Sequence, residues 1–187
     1  MKKTIFTAPI SDTRPGSNIQ WMFALLFILI STAGFGQAGK MTLPSVNIKT
    51  LDGSTFNTSQ ISNNGNPIVI SFWATWCSPC KRELNAIAEV YEDWQEETGV
   101  KLIAISIDDA RNTGKVKPYV NGQDWDYKVF LDPNGDLKRA MYVNTIPHTF
   151  LLNGENEIVW QHNSYSPGDE DELYEWIEKV ANGDEVK

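Results

Sequence analysis

The residues of this 187-residue chain with the most evident chemistry are its only two cysteines, Cys77 and Cys80. A disulfide between them closes so short a ring that it stabilises the fold little through chain entropy. Two thiols are also too few for a four-cysteine zinc site. The pair therefore indicates a chemical role more than a mechanical one.

The surroundings of the pair favour thiol–disulfide exchange. The apolar run 68–74 predicts a buried strand, and the spacing of positions 80, 84, 87, 91 and 94 predicts one face of a helix that follows it. Cys77 then lies at the helix N-terminus, where the helix dipole favours the thiolate that attacks disulfides. Cys80 is one turn further on, close enough to attack a mixed disulfide formed at Cys77.

Two other uses of the pair remain open at this point. An exported protein can carry a purely structural disulfide. Alternatively, a copper-binding chaperone could use Cys77, Cys80 and one of the two histidines, His148 or His162. No spacing rule supports that metal site, so we expect no metal.

The first 38 residues have the pattern of an export signal. Residues 15–39 lack charge, and a dense apolar core spans 21–30. The basic residues that precede this core are Lys2, Lys3 and Arg14. We predict a signal peptide or uncleaved signal anchor over 1–38 and an exported domain over 39–187, in the periplasm or another extracytoplasmic space. Membrane contact is then expected only through the N-terminal segment.

Charge and composition exclude several classes of protein. The chain has a formal net charge of -8, and residues 38–187 carry 13 basic and 23 acidic groups, a net charge of -10. An acidic chain of this kind is a poor candidate for nucleic-acid binding. With 41% apolar residues it is also not a disordered chain.

The order of predicted elements indicates an α/β protein. A short N-terminal hairpin precedes alternating strands and helices, and a second hairpin and a last helix end the chain. The predicted strands are 46–48, 55–56, 68–74, 100–107, 128–131, 149–152 and 158–160, and the predicted helices start after Cys77, within 108–123, at 137 and near 173.

Three motifs in order, at 72–80, 130–135 and 145–152, resemble the thioredoxin superfamily. More closely, residues 41–182 resemble the exported TlpA-like and ResA-like thiol–disulfide oxidoreductases of bacteria. The resemblance implies a thioredoxin-like fold, a central mixed sheet flanked by helices with an N-terminal β-hairpin extension. It also implies a reductase of exported protein disulfides, with cytochrome c maturation as one setting and a membrane thiol donor as partner.

The resemblance assigns roles to individual residues. Cys77 is the nucleophile and Cys80 the resolving thiol, so the redox group is their disulfide and no cofactor is expected. Pro147 corresponds to a proline with a cis peptide bond, and the backbone of Ile146 would bind substrate. The motif residues that support the pair are Trp76, Ser78 and Pro79.

The chain also departs from the pattern of the family that it resembles. Ser71 stands where thioredoxins have a buried carboxylate, and we propose Asp109 as the proton acceptor instead. Glu83 matches a common acid of the family but is interpreted as a first-turn helix charge. Asn85 replaces a proline that kinks the helix in many relatives. His148 is expected to be an exposed histidine of the groove.

A peroxidase is the remaining alternative, because peroxiredoxins share this fold. A peroxidase is expected to have Thr-x-x-Cys and an arginine near the thiolate. Here Ala74 occupies the threonine position, and no arginine matches the expected one apart from Arg82 in the predicted helix. Thiol–disulfide exchange is therefore our leading prediction.

Overall fold

The computed structural model describes residues 40–184, so the predicted export signal over 1–38 lies outside the described residues. No helix within 40–184 is long and apolar enough to cross a membrane. The described part forms a seven-stranded mixed sheet in the order β2-β1-β5-β4-β3-β6-β7.

The strands are β1 (Asn47–Thr50), β2 (Thr55–Asn57), β3 (Ile68–Trp73), β4 (Lys101–Ser106), β5 (Lys128–Leu131), β6 (His148–Leu152) and β7 (Ile158–Asn163). The helices are α1 (Ser78–Thr98), α2 (Val116–Val120), α3 (Asp136–Ala140) and α4 (Asp169–Ala181), with 3₁₀ turns at Thr58–Gln60 and Thr113–Lys115. The predicted α/β architecture and its N-terminal hairpin are confirmed, since β1 pairs with β2 and adds to the sheet antiparallel to β5.

Strand β3 lies inside the sheet and is buried on both faces, since five of its six side chains are apolar. All six of its residues are buried, between β4 in parallel and β6 in antiparallel pairing. Alternation along the strand separates two cores. Trp73 belongs to the cluster that contains the cysteines and Leu84 of α1, and Phe72 belongs to the cluster that contains Phe150.

Helix α1 carries the cysteine pair and follows the predicted periodicity. It ends at Thr98 and is capped by Gly99, whose φ of 67° is the left-handed conformation that glycine adopts without strain. The helix continues without interruption through Asn85, the position for which the resemblance implies a proline. The Asn85 side chain instead accepts a 2.9 Å hydrogen bond from Trp125 Nε1.

The parallel strands β3, β4 and β5 end at one level, since Trp73 pairs with Ser106 and Ser106 with Leu131. Antiparallel β6 begins at the same level, where His148 pairs with Phe72. We call the segments 74–82, 107–120 and 132–147 the carboxyl edge. Ligands of open α/β sheets bind outside the carboxyl ends of the strands, and the cysteines lie at this edge.

Candidate active site

Cys77 and Cys80 form a disulfide at the start of α1, with their Cα atoms 5.4 Å apart. Cys77 is the N-cap residue, and its sulfur accepts a 3.2 Å hydrogen bond from the Cys80 backbone N–H. Cys77 is 5% exposed whereas Cys80 is fully buried. A partner molecule approaching from solvent therefore meets the Cys77 sulfur first.

The turn that leads to Cys77 is held by the buried carboxylate of Asp108. Asp108 accepts hydrogen bonds from the Thr75 backbone N–H (2.8 Å), the Thr75 hydroxyl (2.6 Å) and the Ser106 hydroxyl (2.8 Å). The next side chain, Trp76, is 64% exposed and presents an indole to solvent directly before Cys77. The turn is thus fixed on one side and offers an aromatic surface on the other.

The Ile146–Pro147 peptide bond is cis and lies at the same edge, immediately before β6. The Pro147 carbonyl accepts a 3.0 Å hydrogen bond from the Ser164 N–H. In the described part of the chain, no hydrogen bond engages the backbone of Ile146. Its N–H and carbonyl are therefore available to pair with an extended segment of another molecule.

Glu83 lies one helical turn after Cys80 and is 5% exposed. Its carboxylate accepts hydrogen bonds from Thr149 Oγ1 at 2.7 Å and from Ser71 Oγ at 3.4 Å. Burial raises the pKa of Glu83 to about 7; the two hydrogen bonds oppose this shift, and the negative charges of Asp169 and Glu170 add to it. A group with this pKa exchanges protons near neutral pH.

The interpretation of Glu83 as a first-turn helix charge is therefore wrong. α1 packs on the sheet with its buried face, and Glu83 belongs to that face rather than to the solvated one. The carboxylate reaches Ser71, the place where thioredoxins carry an acid on the strand itself. The signal in the sequence was a hydroxyl residue, Ser71 or Thr149, inside each of two otherwise apolar strands.

The structure places Asp109 in solvent. Its carboxylate accepts hydrogen bonds from the Arg111 N–H, the Asn112 N–H and the Asn112 side chain at 3.1, 3.1 and 2.9 Å. The hydrogen bond from the Asn112 side chain is the largest of the effects that keep the pKa of Asp109 below its usual value. A group that takes a proton from the buried Cys80 has to share its buried surroundings. Asp109 does not share them, whereas Glu83 does.

His148 is buried, so the expectation of an exposed groove histidine is wrong. Its ring stacks on Phe150 with centroids 4.1 Å apart, and its Nε2 lies 3.1 Å from Gln161 Oε1. Burial lowers the pKa of His148, which favours the neutral ring. Because Thr149 faces Glu83, alternation along β6 places His148 on the opposite face from α1.

His162 lies on β7, with its Nε2 3.4 Å from Asp169 Oδ2. Among residues 40–184, no group of three His, Cys, Asp or Glu side chains is placed to hold a metal ion. The copper-chaperone alternative requires such a group around Cys77 and Cys80, and the described residues do not supply it.

Comparison of the sequence with known proteins identifies the family to which this chain belongs. The AhpC/TSA family matches residues 40–161. The chain is 30% identical over 133 residues to sporulation thiol-disulfide oxidoreductase A of Bacillus subtilis, which covers 71% of this chain and 77% of that protein. It is 32% identical over 113 residues to thiol-disulfide oxidoreductase ResA of Oceanobacillus iheyensis, covering 59% and 56% respectively.

Comparison with solved structures supports the same assignment. The solution structure of an uncharacterized thioredoxin-like protein from Porphyromonas gingivalis superposes with a TM-score of 0.67 at 50% identity, over 75% of this chain and 92% of that one. The chain belongs to the AhpC/TSA family and has its thioredoxin-like fold. Within that family it is a thiol–disulfide oxidoreductase, with its disulfide between Cys77 and Cys80.

Proposed function

We propose that the protein is a reductase that transfers electrons from the Cys77–Cys80 dithiol to disulfides of exported proteins. The observation that carries this proposal is the pairing of a near-surface sulfur at a helix N-terminus with a buried sulfur one turn later, followed after one further turn by the buried carboxyl of Glu83. That arrangement suits one attacking and one resolving thiol.

The reaction has two exchange steps. The Cys77 thiolate attacks one sulfur of the substrate disulfide, and a Cys77–substrate disulfide forms as the first substrate thiolate leaves. Cys80 then loses its proton and attacks the Cys77 sulfur, which expels the second substrate thiolate. The substrate disulfide gains two electrons and becomes a dithiol, and the protein dithiol becomes the Cys77–Cys80 disulfide.

Glu83 serves the second step as proton acceptor. Cys80 is buried, so its proton has no direct route to water, and Glu83 lies one turn along the same helix face. Its pKa of about 7 lets the carboxylate take the proton and release it again near neutral pH. This replaces the role expected for Asp109.

Substrate binding uses the surface around the sulfur. The free backbone groups of Ile146 pair with an extended substrate segment, and the cis Pro147 leaves that backbone accessible beside the cysteine loop. The exposed indole of Trp76 packs against the segment. Backbone pairing tolerates many sequences, which suits an enzyme that acts on unfolded or extended protein chains.

The cellular setting is extracytoplasmic. The uncharged apolar core over 21–30, with basic residues before it, supports export, and retention by that segment would keep the enzyme at the membrane. A membrane dithiol donor restores the Cys77–Cys80 dithiol, and no further cofactor is needed for the exchange. Apocytochrome c is one substrate class, supported by the resemblance to ResA-like proteins.

The reduction potential of the Cys77–Cys80 couple tests the direction of electron flow. We expect a value near that of thioredoxin, about -270 mV, as a reductant requires. The potential is measured by equilibrating the full chain with glutathione or dithiothreitol buffers and following alkylation of the two thiols. A value near -120 mV, typical of a strong oxidant, would contradict the proposed direction.

A further inference from the structure

Positive charge is concentrated at the carboxyl edge. Residues 40–184 contain 12 Lys and Arg against 22 Asp and Glu, so this described part of the chain is acidic overall. The three segments of the carboxyl edge, by contrast, contain seven basic and four acidic residues. The seven are Lys81, Arg82, Arg111, Lys115, Lys117, Lys138 and Arg139.

The four acids at this edge offset only part of the positive charge, so the three segments keep a net charge of +3. Asp108 and Asp132 are buried; the former is held by Thr75 and Ser106, and the latter accepts the Asp136 and Lys138 backbone N–H groups at 2.8 Å. Asp136 pairs with Arg139 at 2.5 Å. Asp109 is the one acid of this edge that is exposed and forms no salt bridge.

A cleft of about 420 Å³ opens in this basic surface. It lies between the ends of β4 and β5 and the segment that leads to Pro147, and its lining includes Ile107, Asn134, Lys138, Arg139, Val143 and Asn144. No acidic residue lines it. Val143 and Asn144 of the cleft closely precede Ile146 in the chain, and the Ile107 N–H donates a 2.9 Å hydrogen bond to the carbonyl of Trp73, the last residue of the strand that leads to Cys77.

Lys138 is the cation that the cleft leaves available. The Arg139 guanidinium is held by the Asn134 carbonyl at 2.7 Å and by Asp136. In contrast, no hydrogen bond or ion pair engages the Lys138 side chain in the described range 40–184. An ammonium without an internal partner attracts an external carboxylate.

We infer that the preferred substrates carry acidic residues beside the disulfide that Cys77 attacks, and that this cleft binds one of their carboxylates at Lys138. The inference rests on the proposed function and names the substrate class of the same site. The surroundings of the site are not uniformly basic, because the first turn of α4, which follows β7 in the chain, contains four acids over 169–172. The acidic side of a bound substrate therefore lies toward β4 and β5.

Three synthetic peptides test this inference. They have equal length and one internal disulfide, and their flanking residues are Asp, Ser or Lys. The second-order rate constant for reduction of each peptide by the reduced full chain is measured at low and at high salt. We expect the Asp peptide to react roughly tenfold faster than the Lys peptide at low salt and the two rates to converge at 1 M salt, where charges are screened.

Two charge reversals separate the cleft from the net charge of the protein. Lys138→Glu should slow reduction of the Asp peptide and speed reduction of the Lys peptide, each rate taken relative to that of the Ser peptide with the same variant. Lys128→Glu makes the same change in net charge at the opposite end of β5, where Lys128 is exposed, and should alter none of the three rates by more than about twofold. Equal effects of the two variants would overturn the cleft as the site.

The Ser peptide separates failure of the inference from failure of the proposed function. If the Ser peptide is reduced and the Asp and Lys peptides react equally fast at low salt, the substrate preference is wrong and the reductase stands. A faster Lys peptide would likewise overturn the preference. If none of the three peptides is reduced, the proposed function itself fails and the inference fails with it.

Discussion

Thr149 Oγ1 donates a 2.7 Å hydrogen bond to Glu83 Oε1 across 66 positions of sequence. The bond joins the helix that carries both cysteines to the strand that follows the cis Pro147. It holds the buried carboxyl at a fixed position on the buried face that it shares with Cys80. The proton chemistry of the resolving thiol and the substrate groove are thus built on one pair of side chains.

Glu83→Gln should slow the resolving step and remove its pH dependence. In the native protein, this step should accelerate as pH rises through about 7, because the carboxylate that accepts the Cys80 proton appears over that range. We expect a loss of about 10²-fold near neutral pH, the size of a general-base contribution. Stopped-flow measurement of product release from a preformed mixed disulfide gives the rate.

Glu89→Gln is the matched control, because Glu89 is an exposed glutamate on the same helix. It should leave both the rate and the pH profile of the native protein intact. A Glu83→Gln enzyme with an unchanged pH profile would show that another group takes the proton.

The same carboxyl makes stability depend on pH. The pKa of Glu83 is raised by burial in the folded protein from its ordinary 4.5 to about 7, so folding favours the protonated form. The stabilisation is complete below pH 4.5 and is lost as pH rises through 7, by roughly 3 kcal/mol in total. Urea unfolding of the native and Glu83→Gln proteins at pH 4.5, 6 and 8 measures this contribution to the free energy of unfolding. The difference between the two proteins should change over this range, and a constant difference would contradict the buried, raised pKa.

Asp108→Ala should loosen the turn that presents Cys77. The substitution leaves the Thr75 N–H and two hydroxyls without their charged acceptor, which should lower the free energy of unfolding by roughly 2 kcal/mol. Thermal or urea unfolding at pH 7 tests this. Asp109→Ala removes the neighbouring, exposed carboxylate and should change neither the unfolding midpoint nor the pH profile of exchange. An altered profile in Asp109→Ala would restore Asp109 as the proton acceptor.

Peroxide should be a poor substrate. Ala74 replaces the threonine expected of a peroxidase, and Arg82 is exposed and donates a 3.2 Å hydrogen bond to the Ser78 hydroxyl. Nothing in these contacts stabilises a peroxide leaving group at Cys77. We expect reduced protein to consume hydrogen peroxide no faster than a free thiol does. Consumption at rates many orders of magnitude higher would identify a peroxidase.

The backbone architecture was predictable because it depends on apolar periodicity. The uninterrupted run of β3 and the helical spacing that begins at Cys80 were both found in the structure at nearly the expected bounds. The polar interior of the site was less predictable. Whether Glu83 faces the sheet depends on hydroxyl groups contributed by β3 and β6, and these contacts appear only when distant strands pair.

Asp109 and His148 illustrate the same limit. Asp108 and Asp109 are adjacent and look alike in sequence, yet Asp108 points inward to Thr75 whereas Asp109 caps an exposed turn. The burial of His148 follows from the register of β6 against β3, which places its ring on Phe150. A shift of one residue would have sent it to the other face.

Trapping of mixed disulfides tests the central claim most directly. Full-chain Cys80→Ser retains the near-surface nucleophile but lacks the resolving thiol, so exchange should stop at the Cys77–substrate disulfide. Incubated with a disulfide-bridged peptide, this variant should accumulate a covalent adduct that dithiothreitol releases, whereas Cys77→Ser should accumulate far less. If well-folded Cys80→Ser gives no adduct, or if the adduct forms equally in Cys77→Ser, Cys77 is not the attacking thiol and the mechanism is wrong.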